Sequence, residues 1–476
     1  MTDLSGENLN NRLAVDPQGA HRNSPSTFPN YPVYMDSGFE WLGDVPESWN
    51  VASIKFFADL ITGITPPSDD LSNYAEEGWL WVRPEDLDDS GKPVLASRFL
   101  TDQGWNFCRR VKGESTLICC IGTIGKLGFV DVDVCTNQQI TAVVPRQSGR
   151  FYFYAMHALK SAFDANATGN VLRILNSERL GSVAMAVPSQ DEAESIARFL
   201  DHETARIDAL IEEQQRLIEL LKEKRQAVIS LAVTKGLDPT VSMKDSGVEW
   251  LGEVPAHWEV KQLKHVVDPN TSITYGIVQA GPEFEGGIPY IRTSDMSGEE
   301  LPVSGYPLTS PDIDESYARS RVRPGDIVMS IRASVGKCLP VPDQLKVANL
   351  TQGTAKISAG QDITRNFLLA FLNAGATQNY FDLMAKGATF KEITLDALRR
   401  TPVLLPPVNE QINIDQLVSK HTGLLDEICK QAIQSVSLLK ERRSALISAA
   451  VTGKIDVRCW QPPASAPSPE LAQEAV

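Results

Sequence analysis

An internal duplication constrains the fold of this chain more than any other feature of its sequence. The segment LKEKRQAVISLAVTKGLD, at residues 221–238, occurs again as LKERRSALISAAVTGKID at residues 439–456. The two copies lie almost half of the 476-residue chain apart. Because self-similarity at a fixed separation marks a repeated structural unit, the sequence predicts two similar halves that each end in the same helical segment.

Each copy lies in a longer segment with helical hydrophobic spacing, in which apolar or small residues recur at alternating steps of three and four. This narrow stripe is typical of a coiled coil, although an ordinary long core helix is the alternative. Ser189 with Glu192, and Asn409, are start signals, and Gly236 and Gly453 are stop signals. A continuous first helix would be about 65–70 Å long, and the sequence leaves its continuity open.

We expect the two helices to pair through one apolar seam. Leucines and valines of the first helix should pack against leucines and isoleucines of the second, and each buried leucine should contribute roughly 1.5–3 kcal/mol. The predicted seam residues are Leu217, Leu221, Val228 and Leu231 in the first helix, and Leu425, Ile428, Leu439 and Leu446 in the second.

The composition is that of a soluble globular protein, with 42% hydrophobic and 22% charged residues. No run is long and apolar enough for a membrane span, and the N-terminal residues do not have the pattern of a secretory signal. The seven cysteines form no CxxC pair and fit neither a metal site nor a disulfide framework. We therefore expect reduced thiols and a cytoplasmic location.

The net charge of −15 argues against a general nucleic-acid coat, but the charges are unevenly distributed. Acidic residues dominate at 36–89 and 245–315, whereas basic residues dominate at 90–180 and 316–398. A basic face on an acidic protein can still bind a phosphate backbone. The alternative is that these charges are scattered over solvated surface.

The body of each half carries the same series of motifs. An apolar strand ends in Arg83 or Arg292, and a later strand leads into a loop of small residues that ends in Lys126 or Lys337. Such a loop suits an anion contact, or it is a plain turn with an exposed lysine. The residues TNQQ and NLTQ then supply amides that match an adenine edge or cap strands, and a glycine loop carries Arg173 or Lys391.

The sequence contains no persuasive catalytic constellation. It lacks the GxxxxGK[ST] phosphate loop, a correctly spaced GxGxxG, the HExxH zinc motif and the Asn/Asp-Pro-Pro-aromatic tetrad of adenine methyltransferases. We therefore expect no catalytic residue and no metal site. The chain has the features of a recognition device.

These motifs resemble the specificity subunit of Type I restriction–modification systems. The resemblance rests on DSGFEWLGDVPESW and DSGVEWLGEVPAHW, the loops GTIGK and ASVGK, the NQQ strand and the two duplicated helices, and covers about residues 36–456. It implies an α+β fold with a pseudo-twofold repeat: two mixed α/β target recognition domains separated by two long antiparallel coiled-coil helices. The expected parts are a disordered leader at 1–34, domain 1 at 35–188, spacer helix 1 at 189–238, domain 2 at 239–406, spacer helix 2 at 407–456 and a disordered tail at 457–476.

The resemblance also implies a function. Each domain would read one half of a split target in double-stranded DNA, and the helices would set the spacing and dock two methyltransferase subunits. Restriction/translocase subunits would join this core. S-adenosylmethionine and ATP with Mg²⁺ would bind to those partners and not to this chain.

Loop position and side-chain chemistry give a set of candidate DNA-binding residues. In the first half they are Arg83, Lys126, Asn137, Gln138, Gln139 and Arg173; in the second they are Arg292, Arg332, Lys337, Asn349, Gln352 and Lys391. Two alternatives remain open from the sequence. The chain could be a coiled-coil protein–protein scaffold without DNA reading, or a hydrolase or nuclease with a cryptic site.

Overall fold

The computed structural model describes residues 28–387 and 391–462. The chain divides into two compact units, each built from two separate stretches of helix and one domain body. The first unit takes the chain up to Glu212 and again from Val436, and the second takes Glu213–Ser435. Each unit therefore contains part of both long helices.

The first unit begins with a hairpin and continues through short strands and helices into the first long helix. Its strands are β1 (Tyr34–Asp36), β2 (Asp44–Pro46), β3 (Asn50–Ser53), β4 (Ala58–Thr62), β5 (Tyr74–Ala75), β6 (Trp79–Val82), β7 (Phe99–Leu100), β8 (Arg110–Val111), β9 (Ser115–Cys119), β10 (Leu127–Val130), β11 (Val134–Thr136), β12 (Ile140–Pro145) and β13 (Ala184–Val187). Its helices are α1 (Asp102–Phe107), α2 (Gly149–Ala158), α3 (Lys160–Asn166), α4 (Ser177–Ser182) and the start of α5 (Gln190–Lys235).

Two sheets and a helix form the layers of this unit. One sheet is antiparallel with the order β10-β9-β12-β4, and the other has the order β5-β7-β6-β11-β8 with β6 and β11 parallel. Strand β9 is buried along its whole length because its side chains serve two cores. Ile118 packs with Phe151 and Phe153 of α2, whereas Leu117 packs with Val82 of the second sheet.

The second unit repeats this arrangement with shorter strands. Its strands are β14 (Met243–Asp245), β15 (Glu253–Pro255), β16 (Glu259–Gln262), β17 (Thr274–Tyr275), β18 (Ile288–Ile291), β19 (Leu308–Thr309), β20 (Asp326–Ser330), β21 (Cys338–Pro340), β22 (Asn349–Leu350), β23 (Thr354–Ser358) and β24 (Pro402–Leu405). Its helices are α6 (Pro311–Ser316), α7 (Arg365–Leu372), α8 (Gly375–Met384), α9 (Leu395–Arg400) and the start of α10 (Val408–Val451). The sheets have the orders β17-β23-β20-β21 and β19-β18-β22.

The long helices are continuous. Helix α5 has 46 residues without glycine or proline, and α10 has 44 residues. Each ends at a glycine with positive φ, Gly236 at 78° and Gly453 at 72°, where a left-handed residue can satisfy the last carbonyls. The predicted start and stop signals thus lie within a few residues of the observed helix ends.

Equivalent ion pairs give the direction of the helices. In the first unit Arg443 Nε lies 2.9 Å from Asp208 Oδ1, and in the second Arg225 Nε lies 2.9 Å from Asp426 Oδ1. As the residue number rises along α5, the number of its partner on α10 falls, so the helices are antiparallel. The predicted α+β fold with a pseudo-twofold repeat is confirmed.

The predicted seam is wrong at Leu231, whose side chain is 62% exposed, and Leu217 and Ile428 are exposed as well. In the second unit the neighbouring residues Ala232 and Val233 of α5 are buried in its core instead. The C-terminal end of α5 packs in the core of the second unit. Packing on that domain, and not a heptad seam, therefore determines which face of the helix is buried. Leu221, Val228, Leu425 and Leu439 are partly buried, and Leu446 is buried with Ile207 in the core of the first unit.

Both predicted disordered ends extend too far into the chain. The ring of Tyr31 is buried and lies 5.9 Å from the Trp49 ring, so the core of the first unit includes part of the predicted leader. Val457 is buried in the same core, and Trp460 lies 5.3 Å from Phe199. The remaining leader and tail residues, 1–27 and 463–476, lie outside the described part of the chain.

Candidate functional site

Backbone hydrogen bonds bring the predicted residues of the first unit to one surface. Asn137 N donates to the carbonyl of Val82, the residue before Arg83, over 3.1 Å. Cys120 N donates to Gln139 O over 2.7 Å, and Gly122 N donates to Arg173 O over 3.2 Å. Four segments that are far apart in the sequence are thereby joined in one row.

The second unit has the same row. Thr351 N donates to Ile291 O over 3.1 Å, Ile331 N to Gly353 O over 2.9 Å, and Ala333 N to Lys391 O over 3.1 Å. Each of these bonds matches one bond of the first unit. The duplication therefore preserves the backbone of this surface and part of its side chains, since Arg83 and Lys126 correspond to Arg292 and Lys337.

The sequence suggests that Asn349 of NLTQ stands in the place of Asn137 of TNQQ, but the strand register shows a different match. Parallel pairing places Cys135 opposite Trp81 in the first unit and Asn349 opposite Tyr290 in the second. Asn349 therefore stands in the place of Cys135, two positions before the residue that matches Asn137.

The burial of Asn349 follows from this position. Its amide is completely buried, donates to Asp314 Oδ1 over 2.8 Å and accepts from the Ser320 hydroxyl over 2.6 Å. For this residue the structure supports a role inside the domain and not at a base edge.

A carboxylate holds the arginine that ends each strand. Arg83 Nη1 lies 2.8 Å from Glu85 Oε1, and Arg292 Nη2 lies 2.9 Å from Asp295 Oδ1. The hydrogen bond to Asp295 raises the pKa of Arg292 above its ordinary value. These pairs fix the direction of each guanidinium and offset part of its charge, so a phosphate would have to compete with the carboxylate.

The lysine that ends each small-residue loop is bonded to a backbone carbonyl. Lys126 Nζ donates to Pro84 O over 2.9 Å, and Lys337 Nζ donates to Ser297 O over 3.0 Å. An ammonium has three donors, so one such bond positions the charge and leaves capacity for an anion. The anion contact of these loops remains a prediction.

The cations of the glycine loops are paired in the same way. Arg173 Nη1 lies 2.6 Å from Asp164 Oδ1, and Lys391 Nζ lies 3.2 Å from Asp382 Oδ1. Both cations are well exposed. The predicted basic face is therefore a set of oriented ion pairs at equivalent positions of the two units.

The remaining amides differ in their accessibility. Asn137 is buried and donates to Gln139 Oε1 over 3.0 Å, whereas Gln138 is exposed and accepts from the Thr65 hydroxyl. In the second unit Gln352 lines a cleft of about 450 Å³ together with Arg292 and Arg332. Gln138 and Gln352, which occupy equivalent positions, are the amides that the structure leaves at the surface.

The sequence did not indicate Thr65, whose hydroxyl donates to Gln138, or Arg109 and the pair of stacked indoles elsewhere in the first unit. Arg109 Nη1 donates to Thr62 O over 3.1 Å, next to the loop that carries Thr65. The rings of Trp79 and Trp105 are stacked 4.4 Å apart. The adjacent basic residues at 109 and 110 were a usable signal, but nothing in the sequence indicated that Arg109 contacts Thr62.

Within residues 28–387 and 391–462 there is no group of three or more His, Cys, Asp or Glu side chains that could hold a metal ion. Nor does any helix there have the length and apolarity that a membrane span requires. The seven cysteines are free thiols.

Comparison with known proteins identifies one family. The profile of the family described as "Type I restriction modification DNA specificity domain" matches the chain twice, at residues 46–221 and 255–438. Each match covers most of one domain and the greater part of the long helix that follows it. The match thus repeats with the internal duplication.

Curated relatives match over most of their length. The chain is 24% identical over 435 residues to the EcoBI specificity subunit of Escherichia coli, covering 90% of each chain. It is 22% identical to a MjaX specificity subunit of Methanocaldococcus jannaschii, covering 88% of this chain and 96% of the relative. A structure solved in work on assembly and conformational transition of the type I R-M system has a TM-score of 0.60 at 17% identity, with 86% of this chain and 98% of that chain covered.

Proposed function

Because the chain belongs to the family of Type I restriction–modification DNA specificity domains, we propose that it is the DNA sequence-recognition subunit of such a complex. Each unit reads one half of a bipartite target in double-stranded DNA. The chain supplies recognition and scaffolding, and the partner subunits carry out the chemistry. Sequence is read from base edges, while phosphate contacts fix the register.

The observation that carries this proposal is the duplicated surface. Two units present equivalent backbone rows, with Gln138, which is exposed, and Gln352, which is partly exposed, at matching positions and Arg173 and Lys391 at matching cationic positions. One frame that keeps some side chains and changes others is suited to reading two different half-sites. A basic side chain oriented by a carboxylate can bind a base edge or a phosphate with little loss of side-chain entropy.

The long helices supply the second part of the function, which is spacing and assembly. They are continuous and antiparallel, and they expose leucines to solvent, among them Leu220, Leu424 and Leu438. Exposed apolar side chains in rows mark protein interaction surfaces. Two methyltransferase subunits dock there, and restriction/translocase subunits join them in the cytoplasm.

The cofactors belong to these partners. The methyltransferase subunits bind S-adenosylmethionine and the restriction subunits bind ATP with Mg²⁺. This chain binds DNA and protein only.

The deciding experiment is single-molecule sequencing of adenine methylation in DNA from cells that carry this chain and its methyltransferase partner. We expect a split motif with a fixed gap. Deletion of either unit should abolish that split motif. A continuous motif, or no modified adenine, would contradict the proposal that each unit reads one half of a bipartite target.

Charge reversal separates DNA reading from a protein scaffold, the second candidate that the exposed leucines favour. The variant Lys126→Glu with Arg173→Glu should weaken DNA binding by the complex and reduce its salt dependence, since fewer counterions are released. The variant Lys337→Glu with Lys391→Glu should act in the same way. Arg400→Glu is a matched control, because Arg400 is exposed and pairs with Asp396 on α9. Unchanged DNA binding in both variants would favour the scaffold.

A further inference from the structure

The two units differ in chemistry at one β-bridge of the duplicated surface. In the first unit Ile121 bridges Ile174, and in the second Arg332 bridges Glu392. The flanking backbone bonds are the same in both units. An apolar pair in one unit thus replaces an ion pair in the other without a change of backbone.

The first unit extends this apolar pair into an exposed tip. Val171 is fully exposed, Leu172 is 54% exposed and Ile174 is 40% exposed. The turn that carries them is closed by a bridge between Thr168 and Ile174. Three adjacent apolar side chains on a short closed turn form a small apolar patch that has no partner within the described chain, and such a patch marks a contact surface.

In the second unit Arg332 of the bridge borders a cleft. Arg332 Nε lies 3.0 Å from Glu392 Oε1 but makes no hydrogen bond to it, and this buried donor has no hydrogen-bond partner in the part of the chain that the structure describes. Arg292 and Gln352 line the same cleft of about 450 Å³. The cleft therefore presents guanidinium and amide donors that a ligand with acceptors can satisfy.

We propose that this bridge sets the base preference of each unit, an inference that rests on the proposed function. The apolar tip of the first unit contacts the 5-methyl group of a thymine in the major groove. Arg332 of the second unit contacts N7 and O6 of a guanine, the acceptor pair that an arginine fork matches. Glu392 orients the guanidinium for this contact.

The position of the tip favours DNA over a protein partner. Arg173, which is held by Asp164, is part of the tip, and its carbonyl accepts a hydrogen bond from Gly122 N in the loop that ends in Lys126. An apolar contact with cations at its edge suits a methyl group beside a phosphate backbone.

Base analogues in the DNA test the inference on the complex that contains the wild-type chain. Once the motif is known, deoxyuridine replaces thymine in one half-site, which removes only the methyl group, and 7-deazaguanine replaces guanine in the other, which removes N7. We expect an affinity loss of about three- to fivefold for the missing methyl group. For the missing N7 we expect roughly tenfold. Binding within twofold of the normal site in both cases, or a motif without these bases in the two halves, would overturn the inference.

Exchange variants assign each effect to its unit. The variant Ile121→Arg with Val171→Ser, Leu172→Ser and Ile174→Glu, which removes the whole apolar tip, should lose sensitivity to deoxyuridine and change the methylated motif at one position of one half. The variant Arg332→Ile with Glu392→Ile should lose sensitivity to 7-deazaguanine and change the other half. The matched control, Arg400→Ile with Asp396→Ile, removes an exposed ion pair of α9 and should change neither half.

The outcomes separate this inference from the proposed function. A bipartite motif that persists unchanged in both exchange variants would refute the inference alone. Loss of methyltransferase binding by the first variant, with its base preference intact, would show that the tip is a protein contact and would also refute it. Absence of any bipartite motif or salt-sensitive DNA binding by the wild-type complex would refute the proposed function itself. If a variant fails to fold by circular dichroism, the analogue measurements decide.

Discussion

The indole Nε1 of Trp49 donates a hydrogen bond to Glu192 Oε1 over 3.1 Å, and both side chains are buried. Trp258 makes the same bond to Glu410 over 3.1 Å in the second unit. In each unit the bond connects the end of the opening hairpin motif to the first turns of a long helix. The duplicated tryptophans and glutamates therefore fasten each domain to its helix.

Removal of Glu192 should test this fastening. The variant Glu192→Ala leaves the buried indole donor of Trp49 without its partner and should cost about 1.5–3 kcal/mol of unfolding free energy. Glu192→Gln keeps an acceptor oxygen and should cost less. Urea denaturation measures these changes, with the exposed Glu194→Ala as control. Equal effects at the two positions would contradict the role of the bond.

The leucines of the helices should fall into two classes. Leu446 is 3% exposed, so Leu446→Ala should cost about 2–5 kcal/mol through lost packing and a cavity. Leu231 is 62% exposed, and Leu231→Ala should change stability by less than about 0.5 kcal/mol. Thermal and denaturant unfolding of the full chain compare them. A large loss of stability in Leu231→Ala would indicate that Leu231 is packed, as the predicted heptad seam requires.

His157 should make stability depend on pH. Burial lowers the pKa of His157 to about 4, and the charges of Lys160 and Arg443 act in the same direction. The unfolded chain protonates this histidine near 6.5, so it binds more protons than the folded chain between these values. The free energy of unfolding is therefore highest above pH 6.5 and decreases as the pH falls towards 4.

This effect should appear when the unfolding free energies of the wild type and of the variant His157→Gln are compared at pH 7 and pH 4.5. The wild type should lose up to about 2–3 kcal/mol more than the variant over this interval. The difference between the two proteins removes the contribution of carboxylates, which both share. Parallel pH curves would show that His157 does not titrate as described.

Asn349 and Gln352 should respond differently to truncation. Asn349→Ala removes the buried bonds of its amide to Asp314 Oδ1 and the Ser320 hydroxyl and should cost about 1–3 kcal/mol of stability. Gln352→Ala removes a cleft side chain and should leave stability within about 0.5 kcal/mol while changing the base preference of the complex. Unfolding and motif sequencing, done on both variants, separate the two roles. Full stability in Asn349→Ala would contradict the buried network.

The exposed leucines should matter for assembly and not for folding. Leu424 is 65% exposed on α10, so Leu424→Asp should leave unfolding unchanged and weaken binding of the methyltransferase partner by tenfold or more. Co-purification and analytical ultracentrifugation measure the complex. The exposed neighbour Glu427→Ala on the same helix serves as control. Full assembly with Leu424→Asp would place the docking surface elsewhere.

The duplication, the helix ends and the fold class could be predicted because each depends on local signals. Gly236 and Gly453 terminate helices through a property of glycine itself, and the matching segments need no tertiary information. The exposed face of α5 could not be predicted in the same way. A stripe of leucines indicates an apolar face but does not say whether a helix, a domain or another subunit covers it, and Leu231 remains 62% exposed among the described residues.

The candidate site was predictable in its loops and less so in its residues. Arg83 and Arg292 lie at strand ends that the apolar runs marked clearly. The mistaken match of Asn349 with Asn137 arose because a short strand permits two registers in sequence, and only the parallel pairing with Tyr290 selects one. Arg109 was missed for a related reason, since its bond to the carbonyl of Thr62 joins segments that are far apart in the sequence.

In the first unit the segments 29–34 and 453–458 are linked to each other by hydrogen bonds, at the position where the second unit has a continuous chain. Asp456 N donates to Pro29 O over 2.7 Å, and Tyr34 Oη donates to Gly453 O over 3.0 Å. In the second unit residues 236–242 run directly from α5 into β14. Hydrogen bonds thus do in the first unit what the covalent connection 236–242 does in the second: they hold the start of a domain beside the end of a long helix.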